Sequence, residues 1–313
     1  MSRVTVRHCL RRLAALSIIC VFPMALASCG EDSSDGGSSS TEASTLDVTI
    51  TEDGDGAAVF EVSSDIQGGL TELTVTNEGK APHLSQLFLA DEGHSSDELL
   101  KVFGSDAPPP EWIHGEGGVG RLAPGESGTS TVNLDPGSYI LTDLPNGPTK
   151  APPGHVELTV AGGEEGDLPE TDATVTAAEL KPSEDSEGGQ EESGKPSEEY
   201  DWEISGLVAG ENLVTFNSEG EKALHHIVAV PIVADATFED VQKEFASQPQ
   251  GEPKTVDFSK SQETAVLDGE KSSVVELNLE EGRYAFICFF SDKGDKTSHF
   301  EEGLFDEVQV PSE

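Results

Sequence analysis

Cysteine and methionine are scarce in this chain of 313 residues, and they concentrate in its first 29 residues. Both methionines and three of the four cysteines lie there, so Cys288 is the single sulfur-bearing side chain of the remaining sequence. One thiol cannot form an intramolecular disulfide, which excludes a disulfide-stapled scaffold. It also excludes a zinc site built from paired cysteines.

Basic residues are scarce as well, with 18 lysines and arginines against 60 acidic residues and a net charge of −42. Nucleic acid is therefore not expected as a partner, because binding to phosphates needs positive charge. We interpret the negative charge as a solvated surface suited to a salty exterior.

The apolar run at residues 13–27 is too short for a lasting membrane span, and arginines precede it, as in a secretory signal. The segment that follows, Leu26-Ala27-Ser28-Cys29-Gly30, resembles the lipobox of bacterial lipoproteins. The resemblance implies that residues 1–28 are a signal peptide and that Cys29 is acylated, for example with palmitate. We then expect a lipid-anchored, extracytoplasmic protein at the cell membrane. The alternative is an ordinary signal peptide with a cysteine there by chance.

Internal similarity divides the remaining chain into two parts. Asn133 to Tyr139 reads NLDPGSY and Asn278 to Tyr284 reads NLEEGRY, so both follow the pattern N-L-acid-x-G-x-Y. Strand-like alternation of apolar and polar residues recurs in the same order on both sides, with one short helix pattern in each half. These observations predict an all-β protein that is a tandem duplication of one antiparallel, Greek-key β-sandwich.

The predicted boundaries follow from composition. Residues 29–45 are a flexible acidic tether, residues 46–160 and 172–311 are the two domains, and residues 161–171 are the linker. Residues 181–199, acidic and without aromatic side chains before Tyr200, are an insertion in the first hairpin of the second domain. Pro108 to Gly120 is predicted to be a loop that carries Trp112 and His114.

The stretch from Tyr284 to Leu304 holds the residues that are best suited to form a functional site. Its first part alternates like a strand with two apolar faces, as in the centre of a sandwich, and ends at Cys288. A turn with Asp and Gly follows, and then His299. A buried strand thus places a sulfur beside a loop that carries an imidazole.

The chain resembles the cupredoxin superfamily, which has a plastocyanin- or azurin-type fold, and specifically the bacterial lipoproteins of that superfamily. The resemblance is carried by this stretch, by an early His after an Asn-x-Gly-type turn, and by the pattern G-x-Y-x-x-x-C. The resemblance implies one copper ion in the second domain, with His225, Cys288 and His299 as equatorial ligands. His226 is the alternative to His225. Leu304 stands at the axial position, where the family usually has Met, and ten residues separate Cys288 from His299. A thiolate and two imidazoles favour copper.

The first domain has Asp143 where the second has Cys288, four residues after the equivalent tyrosine. His83, His114 and His155 could gather with Asp143, but without a thiolate we expect a metal-free scaffold.

These observations predict a copper-binding surface lipoprotein for electron transfer or copper handling, with a redox or copper-donor protein as partner and a monomeric state. The alternative is a metal-free tandem module for binding or structure at the cell envelope. We further predict that the protein is not an enzyme, because the His-x-His pairs of multicopper oxidases and the signatures of common hydrolases are absent from the sequence.

Overall fold

The computed structural model describes residues 43–63, 66–103, 105, 107–144, 153–180, 199–247 and 251–312. All of them belong to one unit, Ser40–Glu313. The predicted signal peptide, Cys29, most of the tether and residues 181–198 of the acidic insertion lie outside these ranges, so those predictions and the domain boundaries remain predictions. Within the described residues, no helix is long and apolar enough to cross a membrane.

The first half of the described chain forms a sandwich of two four-stranded layers. The elements of this first sandwich are β1 Ser44–Glu52, β2 Ala58–Val62, β3 Gly69–Asn77, β4 His83–Ala90, α1 Ser96–Phe103, β5 Ile113–Leu122, β6 Ser127–Leu134, β7 Gly137–Asp143 and β8 His155–Val160. The strand orders of the layers are β2-β1-β3-β6 and β5-β4-β7-β8. Strand β1 runs parallel to β3, and its other neighbour, β2, is antiparallel to it.

The second half repeats this order, although two of its long strands are each broken into two short ones. A one-turn 3-10 helix, Phe258–Lys260, follows its α-helix. The elements of this second sandwich are β9 Ala173–Glu179, β10 Tyr200–Ser205, β11 Gly210–Ser218, β12 Leu224–His225, β13 Val228–Pro231, α2 Phe238–Ala246, β14 Gln262–Glu263, β15 Leu267–Asp268, β16 Lys271–Leu279, β17 Gly282–Ile287 and β18 Phe305–Val310.

Alternation along the strands builds a separate core in each sandwich. In β1, Leu46, Val48 and Ile50 point inward while the residues between them are more exposed. The shared tyrosine of the repeated motif also has a structural role. The hydroxyl of Tyr139 donates to the carbonyl of Asp135, and that of Tyr284 accepts from the amide of Glu280. Each tyrosine therefore fixes the turn before its own strand. Strands dominate the described residues, with one short α-helix in each half, so the predicted all-β fold class is confirmed.

The prediction of a loop from Pro108 to Gly120 is wrong, because most of this stretch is strand β5. Its many glycines suggested a loop, but they allow a close approach of the second sandwich. A Cβ atom on Gly120 would lie 1.9 Å from the carbonyl oxygen of Glu263, so no larger residue fits there without displacement of that chain.

The two sandwiches are joined edge to edge along strands β5, β6, β15 and β16, which we call the sandwich joint. Strand β6 pairs with β16, and β15 pairs with β5 at Leu267 and Glu116. The buried side chain of Gln86 extends the joint: its Nε2 donates to the carbonyl of Val266, and its Oε1 accepts from the amide of the same residue. One eight-stranded sheet thus runs through both sandwiches, and a six-stranded sheet extends from the first sandwich into β15 and β12. Strands β14, β13, β17 and β18 of the second sandwich form a separate sheet.

Candidate metal centre

Three of the predicted ligands converge inside the second sandwich. His225 ends the short strand β12, Cys288 directly follows β17, and His299 lies in the loop before β18. The sulfur of Cys288 is 3.8 Å from Nδ1 of His225 and 3.6 Å from Nδ1 of His299. One donor atom from each residue lies within 4.8 Å of the other two, and all three side chains are fully buried. Within the described part of the chain, this is the one such group of His, Cys, Asp and Glu residues.

The outer nitrogen of each imidazole is held by an acceptor. Nε2 of His225 lies 3.1 Å from the carbonyl oxygen of Glu219, and Nε2 of His299 lies 3.1 Å from Oδ1 of Asp292. A carbonyl oxygen only accepts, so Nε2 of His225 carries the hydrogen and Nδ1 presents its lone pair toward the sulfur. Asp292 orients His299 in the same way, as acceptors outside a metal site commonly do.

Tyr200, the first residue of β10, covers both imidazole rings. Its ring centre lies 4.9 Å from that of His225 and 4.7 Å from that of His299, and its hydroxyl donates to Asp292 at 2.9 Å. Gly303 leaves room for the tyrosine backbone, because a Cβ atom there would lie 2.0 Å from the carbonyl oxygen of Tyr200. The centre is therefore closed on the side of β10.

His226, the alternative ligand, lies away from the sulfur. Its Nε2 accepts a hydrogen bond from the amide of Phe289 at 3.0 Å, and its ring packs against Phe290. Burial first, and then the charge of His299, lower its pKa to about 3. His226 thus supports the backbone that follows Cys288 rather than joining the group of three.

Backbone hydrogen bonds fix the loop between the two later ligands. The amide of His299 donates to the carbonyl of Phe290, and the amide of Phe300 donates to the carbonyl of Cys288. Leu304 is fully buried, its amide donates to the carbonyl of His299, and its carbonyl accepts from the amide of Cys288. The long spacing between the ligands is therefore taken up by an ordered loop whose two ends are tied together.

The two imidazoles differ in their electrostatic surroundings. Burial, together with the charge of His299, holds the pKa of His225 well below its usual value. Burial also lowers the pKa of His299, but hydrogen bonds to Asp292 and Cys288 outweigh it and raise that pKa to about 9. Without a metal, His225 is thus a neutral imidazole, while His299 carries a second proton and a positive charge, and a bound metal would displace that proton.

Of the four candidate residues of the first sandwich, His83 and Asp143 meet, and His114 and His155 lie elsewhere. Nδ1 of His83 lies 2.9 Å from Asp143, and its Nε2 lies 3.4 Å from Glu52, so its two nitrogens contact different carboxylates. His114 instead contacts Asp268 of the second sandwich, and His155 is exposed at the start of β8. No shared donor site arises from these described residues.

A sulfur and two imidazole nitrogens, all buried and all facing one point, form a donor set that fits a copper ion. The carbonyl oxygen of Leu224 lies 3.9 Å from the sulfur, and the apolar side chain of Leu304 is buried in the same core. This arrangement offers three strong donors and no strong fourth one among the described side chains.

Sequence reasoning missed the support of the centre by Asp292 and Tyr200. Asp292 belongs to the turn predicted between Cys288 and His299, and a carboxylate seven positions before His299 is a possible partner for its imidazole. Tyr200 stands far from the ligands in sequence, and its position became clear only from the pairing of β10 with β9.

Comparisons with known proteins give solved structures of distant likeness. A multicopper oxidase shares 15% identity with a TM-score of 0.24, covering 85% of this chain and 88% of its own. A blue copper oxidase from Nitrosomonas europaea shares 15% with a TM-score of 0.22, covering 86% of each chain. A copper nitrite reductase from the same organism shares 13% with a TM-score of 0.21, covering 85% and 94%. No family model matches the chain, and no curated protein does.

By name, these solved structures are enzymes, which contradicts the prediction that the present protein is not one. That prediction is withdrawn. The absence of His-x-His pairs, on which that prediction was based, does not bear on other redox chemistry at a His, Cys and His centre. At these identities and TM-scores, the likeness assigns no activity to this chain.

Proposed function

We propose that this protein is a lipid-anchored, extracytoplasmic cupredoxin-like protein whose second sandwich binds one copper ion for electron transfer or copper handling. The observation that carries the proposal is the convergence of Cys288, His225 and His299, with both Nδ1 atoms facing the sulfur. Four separate features of the chain, β12, β17, β10 and the loop before β18, combine to build and cover this one point.

The surroundings of the three donors suit a metal that changes its charge by one electron. Both imidazoles are fixed from behind by Glu219 and Asp292, so the donor geometry is set before a metal binds. A rigid site of this kind holds similar positions in both oxidation states. The bound copper would supply the electron-accepting orbital, and the protein would supply the thiolate, the two imidazoles and the exclusion of water.

The anchor is proposed from the sequence. Acylation of Cys29 would hold the protein at a membrane surface, and the acidic segment after it would separate the sandwiches from the lipid. Mass spectrometry of the protein purified from a bacterial membrane fraction tests this part: a lipid-modified Cys29 at the mature N-terminus is expected. An unmodified chain that begins elsewhere would contradict it.

The copper site is tested by adding one equivalent of copper(II) to the purified protein, followed by desalting, metal analysis and visible absorption. We expect retained copper and an intense band from charge transfer between thiolate and copper. Cys288→Ser removes the one thiol of the sequence after residue 29, so it should abolish the band.

A matched control replaces a histidine outside the centre. His155→Ala, at an exposed position of β8, should retain both the copper and the band. If wild type retains no copper, the metal-free tandem module becomes the better description. If Cys288→Ser retains the band, the copper lies at another site and the proposal fails.

A further inference from the structure

The loop that carries His299 is attached to the first sandwich as well as to its own. The amide of Gly294 donates to the carbonyl of Pro109 at 2.8 Å, and the amide of Lys293 donates to the carbonyl of Lys222 at 2.9 Å. Pro109 precedes β5 of the first sandwich. The ten-residue segment between Cys288 and His299, which we call the ligand loop, thus spans from the centre to the neighbouring sandwich.

A buried lysine of the ligand loop contacts residues of both sandwiches. Nζ of Lys293 lies 2.6 Å and 2.8 Å from the two carboxylate oxygens of Asp268, and 3.3 Å from Nδ1 of His114 on β5. Lys293 and Asp268 are each 7% exposed, so water does little to screen the pair. Nδ1 of His114 also lies 3.0 Å from Oδ2 of Asp268, so Lys293, Asp268 and His114 all contact one another.

Asp268 lies on the strand that connects the candidate metal centre with the first sandwich. This strand, β15, pairs through Asp268 with Leu224 of β12, which is next to His225. Through Leu267 it pairs with Glu116 on β5 of the first sandwich. Lys293 therefore connects the ligand loop to the strand that lies between one ligand and the first sandwich. The next residue before Lys293 is Asp292, the hydrogen-bond partner of His299.

We propose that Lys293 is a positioning residue that ties the ligand loop to Asp268 of β15 and to His114 of the first sandwich. Through this contact the first sandwich fixes the ligand loop, and with it the copper geometry of the second sandwich. The inference rests on the proposed copper function, but its structural part does not require a metal. It assigns to the first sandwich a role in the metal centre, although the described residues of that sandwich supply no ligand to it.

The experiment compares Lys293→Met with Lys222→Met in the full-length protein. Lys222 is a suitable control because it also bridges the two sandwiches, to Glu111 at 3.0 Å, but both partners are exposed. For Lys293→Met we expect a copper affinity lower by about tenfold or more and a displaced thiolate-to-copper band. Lys222→Met should match wild type, and Lys293→Arg should lie between wild type and Lys293→Met.

Loss of a buried partner could also prevent folding, because Asp268 would be left unpaired. The double variant Lys293→Met with Asp268→Asn removes both charges together and should show the same change in copper affinity and band. A purely structural role would lower the midpoint of thermal unfolding and leave the band of the folded protein unmoved. A wild-type affinity and band in Lys293→Met and in the double variant would overturn the inference.

A second measurement works without copper and separates this inference from the proposed function. Alkylation of Cys288 in the metal-free, full-length protein, followed by peptide mapping, reports how often the ligand loop opens. We expect alkylation about tenfold faster in Lys293→Met than in Lys222→Met. If wild type binds no copper but this difference holds, the proposed function fails and the positioning role stands. If the rates are equal, the positioning role fails.

Discussion

Asp292 connects three features of the centre at the scale of single residues. Its Oδ1 accepts from Nε2 of His299 and from the hydroxyl of Tyr200, which covers both imidazole rings. Burial raises the pKa of Asp292, but these two hydrogen bonds outweigh it, so that the carboxyl stays ionised. One carboxylate therefore orients the imidazole of His299 and holds Tyr200, the residue that closes the site.

Asp292→Ala should weaken copper binding by about 10- to 100-fold, because His299 loses the acceptor that fixes its ring. The affinity is measured by competition with a copper chelator. Asp295→Ala is the control from the same loop, since Asp295 is exposed and accepts from the backbone of Thr297. Equal affinities in the two variants would show that Asp292 does not support the centre.

His114 gives a prediction on pH. Its hydrogen bond to Asp268 raises its pKa above the usual value of about 6.5, against the opposing effects of burial and Lys293, and Asp91 adds to the rise. A raised pKa in the folded state stabilises the fold below the unfolded pKa, and this contribution is lost as the pH rises through the folded pKa. The free energy of unfolding of wild type should thus be higher than that of His114→Gln at about pH 5.5, and the difference should be smaller at about pH 8.5.

Urea unfolding at both pH values measures this difference. His94→Gln serves as the control, because the carboxylate beside His94, that of Glu98 at 3.6 Å, is exposed, while its ring stacks on the uncharged Trp112. A larger advantage of wild type at the higher pH would contradict the assignment of the proton to His114.

Sequence reasoning identified the three residues that the structure brings together because few candidates existed. Outside the first 29 residues there is a single thiol, and His225 and His299 hold equivalent places in the resembled family. It left His225 and His226 open, since adjacent strand residues face opposite sides and a sequence does not say which side is the core. The side chains behind the ligands could not be predicted, because contacts such as Tyr200 to Asp292 depend on tertiary packing across 92 positions.

Strand β5 is the element whose sequence and structure disagree most. Its sequence, IHGEGGVGRL, contains four glycines, and a glycine-rich segment usually predicts a turn or loop. In the structure, the small residues let the 263–268 segment of the second sandwich approach the backbone of β5. A sequence pattern shows the glycines but not the partner chain that requires them.

Gly120→Ala should lower the free energy of unfolding by about 1–3 kcal/mol, because its Cβ atom would collide with the carbonyl oxygen of Glu263. Gly54→Ala is the matched control, since nothing lies within 4 Å of a Cβ atom at that position. The control should change stability by less than about 0.5 kcal/mol. Chemical denaturation measures both variants, and a similar small effect at Gly120 would mean that the two sandwiches approach less closely there.

At the scale of the whole molecule, the sandwich joint also contains a buried ion pair. Nζ of Lys271 on β16 lies 2.7 Å from the carboxylate of Glu116 on β5, and Glu116 is 1% exposed. Burial raises the pKa of Glu116, and Lys271 partly counters the rise. The charge of Glu116 in the joint therefore depends on one lysine from the other sandwich.

Lys271→Met should destabilise the protein by about 3 kcal/mol at neutral pH, because it leaves a buried carboxylate without its partner. The loss should shrink at acidic pH, where Glu116 takes up a proton. Urea unfolding across the pH range measures it. Adding Glu116→Gln to Lys271→Met should recover part of the stability, and a double variant no more stable than the single one would contradict this account.

The sandwich joint has one more consequence, for aggregation. Strands β6 and β16 would each lie at the edge of a sheet if the sandwiches were separate, and exposed edges promote pairing between molecules. Their mutual pairing removes both edges at once. The long sheet then ends at β2 and β10, where the exposed acids Glu61, Asp201 and Glu203 place negative charge. The joint between the sandwiches thus also protects the chain from forming intermolecular sheets.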